Sequence, residues 1–186
     1  MPRSKRSHTA AGWLAAAVLL TSGCTALDSG SADDAGEGAS YEQAYVDHEP
    51  LHVVGYPSAG SLRVVQELVW DIADGKADEL RKLATGDSGE AEARKTGENW
   101  IKAFGTGAGG RVTGDFYDGG SERQVVVLYF HDTRQKAEFT VRLDGEAGEE
   151  NWRVLMKSPD FKDATRTPGR APKEPGGTGS KMKNNG

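Results

Sequence analysis

Apolar residues recur at three- and four-residue steps through Leu62, Val65, Leu68, Val69 and Ile72, the spacing of one helical face. Ser61 stands before them as an N-cap and Gly75 after them as a stop. Ala77, Leu80, Leu83 and Ala84 predict a short second helix ending near Gly86. A third stripe, Ala93, Gly97, Trp100, Ile101 and Phe104, is closed in this reading by the glycines at 105, 107, 109 and 110.

The period then changes. Arg111 to Tyr117, Gln124 to Phe130, Ala137 to Leu143 and Trp152 to Lys157 read as strands. The run QVVVLYF at 124–130 is apolar on both faces and therefore central, whereas Phe139, Val141 and Leu143 alternate with Glu138, Thr140 and Arg142. Polar turns at 118–120, 131–135 and 144–151 join the strands, so the sheet is expected to be antiparallel. Three helices followed by about four strands predict an α+β domain over residues 51–161.

Neither end shares these patterns. Residues 1–23 have a basic start (Arg3, Lys5, Arg6), an apolar run from Ala10 to Leu20 and then small residues, the plan of an export signal. The apolar run is far shorter than the roughly 20 residues a membrane-spanning helix needs. Residues 24–50, rich in Ala, Gly, Ser and Asp over their first part, carry seven acids and no Lys or Arg and read as a flexible acidic linker. Residues 162–186, with Pro, Gly, Lys and Asn, carry a surplus of basic charge and read as a disordered tail.

Composition changes the picture in two ways. The formal charge of −5 is spread without a clustered basic face on the domain, which argues against a nucleic-acid partner. With one cysteine, Cys24, no disulfide can form within the chain. Leu20-Thr21-Ser22-Gly23-Cys24 resembles the bacterial lipobox, with Thr21 where that pattern most often has Leu. The resemblance implies cleavage after Gly23, a diacylglyceryl thioether on Cys24 with N-acylation as a further step, and location at the extracytoplasmic face of the cell membrane. Two acyl chains give the durable anchoring that one does not.

The segment VVQELVWDIADGKADELRKLA and the strands VVVLYF, EFTVRL and WRVLMK resemble the NTF2-like, cystatin-like superfamily, and the chain also resembles actinobacterial lipoproteins of unknown function that carry such domains. The resemblance implies a cone in which N-terminal helices pack against a curved antiparallel sheet. Such a fold serves many activities.

Candidate chemistry is thin. His131, at the end of QVVVLYF, could act as a general base, but Asp132 beside it would point to the opposite face. Asp71 and Asp74 on the first helix and Asp115 on a strand are carboxylates that could face inward or outward. His48 and His52 have a helical metal spacing that Pro50 disrupts, so no metal site and no cofactor is predicted. Trp70, Trp100, Phe116, Trp152 and His131, with Phe130 and Phe139, could line an apolar pocket in the mouth of the cone, although core packing is the commoner fate of such aromatics. GTGAGG at 105–110 lacks the Lys-Ser/Thr of a phosphate loop and reads as a flexible connector.

The expected protein is thus a membrane-tethered binding or accessory module, leaning non-catalytic. Its partners would be the bilayer through Cys24 and a small apolar ligand or envelope protein. The alternatives are an enzyme of the same fold using an inward carboxylate or His131, and a homodimerising scaffold for a membrane partner.

Overall fold

The computed structural model describes residues 46–118, 121–145, 148–168 and 171–177. The signal segment, Gly23 and Cys24, and all of the acidic linker before residue 46 lie outside these described residues.

The chain begins its domain with a short strand, β1 (His52–Gly55), and then three helices: α1 (Ala59–Asp74), α2 (Ala77–Lys82) and α3 (Glu90–Ala108). Strands β2 (Val112–Asp118), β3 (Arg123–Phe130), β4 (Gln135–Leu143) and β5 (Trp152–Val154) follow, and a short helix, α4 (Phe161–Ala164), succeeds them. The domain is α+β, with an open five-stranded sheet in the order β1-β2-β3-β4-β5. Strands β2 to β5 pair antiparallel, as expected.

The expectation of an all-antiparallel sheet of about four strands missed β1, which pairs parallel with β2 in the register His52↔Thr113 to Gly55↔Phe116. Four residues beside Pro50 are too few to display a period. The last strand is also shorter than expected: Leu155 still gives its N–H to the Thr140 carbonyl of β4 at 2.9 Å, but beyond it Met156 and Ser158 give their N–H groups to the hydroxyls of Ser88 and Thr96.

Helix α1 starts one turn earlier than expected. Ser58 is its cap and accepts from the Ser61 N–H at 3.1 Å, so Ser61 lies inside the first turn. Gly75 ends it in the left-handed conformation, φ +72°, with the Lys76 N–H bonded to the Asp71 carbonyl at 2.9 Å. Its inward stripe, Val64, Val65, Leu68, Val69 and Ile72, is buried. Leu80 of α2 is fully buried against Gly97 of α3, where an added Cβ would lie 3.3 Å from the Leu80 Cβ.

The glycines at 105 and 107 were expected to end α3 within a flexible connector; instead the helix runs through both to Ala108 and is capped by Gly109. Gly107 is a packing position: a Cβ there would lie 2.8 Å from that of Phe130 and 2.7 Å from Thr133 Oγ1. Small residues let this turn of α3 approach β3, and the Phe104 ring stacks on Phe130 at 5.1 Å. The core lies between the helices and one sheet face, and is filled by Val112 and Phe116 of β2, Val126, Leu128 and Phe130 of β3, and Ala137, Phe139 and Val141 of β4.

The two glycines therefore have opposite expected responses to alanine. At Gly105 a Cβ meets only the Ile72 carbonyl, at 3.4 Å, so Gly105→Ala should stabilise by about 0.5–1 kcal/mol through helix propensity. Gly107→Ala should destabilise by about 1–3 kcal/mol, because Phe130 and Thr133 must move. Denaturant unfolding of the two variants checks the pair.

Candidate functional site

Polar side chains gather in several described places, among them an ion-pair network of Asp87 with Arg142 and Lys157; three others bear on the candidate residues: the C-terminal end of α1, a cleft beside β4, and the sheet face turned away from the helices.

At the end of α1, the His48 ring stacks on buried Trp70 with centroids 5.6 Å apart, and its Nε2 lies 2.9 Å from Asp74 Oδ1. This residue of the expected linker is therefore docked on the domain. Burial would raise the Asp74 carboxyl, but hydrogen bonds from Lys76 and His48 override it and hold the group below its usual range. Asp71 is half-buried on the next turn. Loss of water pushes its carboxyl up to about 7, against the pull of Lys76 and with added repulsion from Glu79, Glu67 and Asp74.

The cleft, of about 170 Å³, lies between β4 and α4 and is bordered by Trp100, Glu138, Thr140, Lys157 and Asp163. It is smaller than the usual few hundred Å³ of a small-molecule site. Trp100 closes its floor, held edge-on to Phe139 at 4.8 Å and donating its Nε1–H to the Ala164 carbonyl at 3.0 Å.

The third place is the most fully built. Strand alternation that sends Val112, Gly114 and Phe116 inward sends Thr113, Asp115 and Tyr117 to the opposite face. Opposite them on β3 stand Tyr129, Val127 and Val125. Although no helix among the described residues packs on this face, Thr113, Asp115, Val127 and Tyr129 are all buried, Asp115 to 4% exposure.

Part of the cover is the segment 171–177, in the tail expected to be disordered. Pro172 is buried, and its carbonyl accepts from Tyr129 Oη and from Lys136 Nζ, each at 3.1 Å. Gly176 gives its N–H to Asp115 Oδ2 at 2.9 Å, and Tyr117 Oη donates to the same oxygen at 2.8 Å. Gly176 has φ +67°, and a Cβ there would lie 3.2 Å from Val54 Cγ1 of β1. The segment thus crosses from β4 to β1. Residues 178–186 lie outside the described residues. Burial, then the hydrogen bond to Asp115, raises the Tyr117 hydroxyl; burial, then the Asp115 charge, raises Tyr129. Both therefore remain donors at neutral pH.

His131 borders this face. Its Nε2 lies 2.8 Å from Thr113 Oγ1 and its Nδ1 3.3 Å from Arg111 Nη2. A guanidinium only donates, so Nδ1 accepts and Nε2–H donates to Thr113. The Asp132 carboxylate sits over Gly110, where a Cβ would collide with it. The remaining aromatic candidates are placed elsewhere: Trp100, Phe116 and Trp152 belong to the continuous core and Trp70 is buried beside His48. The sheet separates His131 from the core aromatics. His52 is exposed at the start of β1, and no group of three or more potential metal ligands occurs among the described residues.

Sequence reading missed the joint role of Asp115, Tyr117, Tyr129 and Pro172. One signal was available: a strand apolar on both faces implies a cover on both. Comparison with known proteins finds no matching family model, curated protein or solved structure.

The Asp71 position yields a pH-dependent test. Its carboxyl is raised above the ordinary 3.8 in the folded state, so the folded form holds the proton more tightly. The contribution is fully present below about pH 4 and lost as pH rises through about 7. Asp71→Asn removes that loss. It should leave stability nearly unchanged at pH 4 and raise it by about 1–2 kcal/mol at pH 8, allowing for solvent screening of a half-buried group, as measured by urea unfolding at both pH values.

Proposed function

We propose that this protein is an extracytoplasmic lipoprotein, anchored through a diacylglyceryl Cys24, whose domain serves as a non-catalytic binding or accessory module at the cell envelope. The observation that carries the reading is the placement of Cys24, directly after Leu20-Thr21-Ser22-Gly23 and a basic, apolar leader. The acidic composition of the linker suits a tether that extends away from an anionic bilayer surface.

For the domain itself, the NTF2-like plan is the reading we favour, with three consecutive helices packed on one face of the antiparallel strands β2–β5 and the parallel β1 as an addition to it. A binding role is supported by the way the ionisable groups are used. Asp115 is engaged by Tyr117 and Gly176, Asp74 by His48 and Lys76, and His131 by Thr113 and Arg111. These contacts hold backbone and strands in place.

The anchor is tested by the mass and location of the protein in membranes, beside a Cys24→Ala form. The wild type should be cut before Cys24, carry the added mass of diacylglycerol and sediment with membranes, whereas Cys24→Ala should lose the added mass and membrane retention. An unlipidated wild type free in the medium would refute the reading.

A further inference from the structure

The residues that hold segment 171–177 recognise main chain and a proline ring, and little else. Tyr129 Oη and Lys136 Nζ converge on one carbonyl, that of Pro172, while Asp115 Oδ2 accepts one N–H, that of Gly176. Lys173 and Glu174 between them are exposed. A proline has no N–H to satisfy and little freedom to lose on docking. Glycine supplies the positive φ and the close approach to Val54 at the other end. The chain turns between them, with the Gly177 N–H on the Glu174 carbonyl at 3.1 Å, so any segment with proline and, four residues on, a glycine in such a turn presents the same groups.

The face under the segment also differs from an ordinary solvated sheet. With Val127 and Tyr129 beside a carboxylate, it combines apolar area with one acceptor and two donors, the mixture found where aromatic grooves take proline-containing peptides. Its present occupant is joined to it by the same chain. Tethering alone raises the effective concentration of a ligand to the millimolar range for a short linker, so modest contacts suffice to hold it.

We propose that this sheet face is a binding site for a turn-forming, proline-containing segment of a partner polypeptide, of the pattern Pro-x-x-x-Gly, and that residues 171–177 occupy it as a built-in competitor. The inference rests on the reading of the domain as a binding module but not on the anchor, so the Cys24 experiment and the one below can fail separately.

The test uses the full-length protein and a fluorescent, end-blocked peptide with the sequence of residues 171–177, followed by anisotropy. In a Pro172→Asp/Gly176→Val variant the internal segment loses its buried ring and its left-handed residue. That variant should bind the peptide at least about tenfold more tightly than the wild type, from loss of the tethered competitor. Adding Asp115→Ala, which removes the acceptor, or Tyr129→Phe should weaken this binding about fivefold or more, as expected for loss of a buried hydrogen bond. Equal binding by wild type and double variant, or binding indifferent to Asp115 and Tyr129, overturns the proposal. Should the double variant lose its native circular dichroism, the peptide is titrated into the wild type at millimolar concentration and the amide resonances of Val127 and Tyr129 are followed. Saturable shifts there support the site and their absence refutes it. Tail exchange between copies, seen as a wild-type dimer at micromolar concentration by sedimentation, would assign the face to self-association and refute a separate partner.

Discussion

Strand β3 carries apolar side chains on both faces, and the rest of the domain is arranged to keep both dry. Val126, Leu128 and Phe130 meet the helices, while Val125 and Val127 face the other way with Tyr129. A fully buried Val, Leu or Phe side chain stabilises by about 1.5–3 kcal/mol, so a bare second face would forfeit part of what the strand contributes. The helices can cover one face only. The other requires chain from outside the helix–sheet core, and the segment 171–177 supplies part of it.

The second face places a further demand on its cover because it includes a carboxylate. A buried carboxylate is costly without hydrogen-bond donors. Asp115 has two, the Tyr117 hydroxyl and the Gly176 amide, one from its own strand and one from the tail. The tail thus carries both a packing role, through Pro172, and an electrostatic one, through Gly176. Few contacts are involved, so this layer is expected to be weaker than the helical one and to open before the core does. Such weakness is compatible with the exchange proposed for it.

The helices and antiparallel strands were legible because each displays enough residues for its period to be seen. Leu62 to Ile72 gives three turns of helix, and QVVVLYF gives an uninterrupted strand. What escaped had one of two causes. In β1, four residues cannot show a period, and its partner β2 is distant in sequence. In GTGAGG, glycine was read as a helix breaker, whereas contact with Phe130 makes its missing side chain a condition of packing. The tail combines both difficulties: Pro and Gly signal disorder by composition, and only its position over Tyr129 and Asp115 gives them another meaning. The same applies to the candidate site. Asp115 was visible as a carboxylate within a strand, but its face and its partners depended on a segment 61 residues away.

The central claim is that the sheet is covered on both faces, the second by the chain's own C-terminal segment. Amide hydrogen exchange at Gly176, read residue by residue by NMR in the full-length protein, tests it most directly. With its N–H on the Asp115 carboxylate, Gly176 should exchange at least about a hundredfold more slowly than in a free peptide, and Asp115→Ala should shorten that protection. Exchange of Gly176 at the free-peptide rate in the wild-type protein would contradict the account.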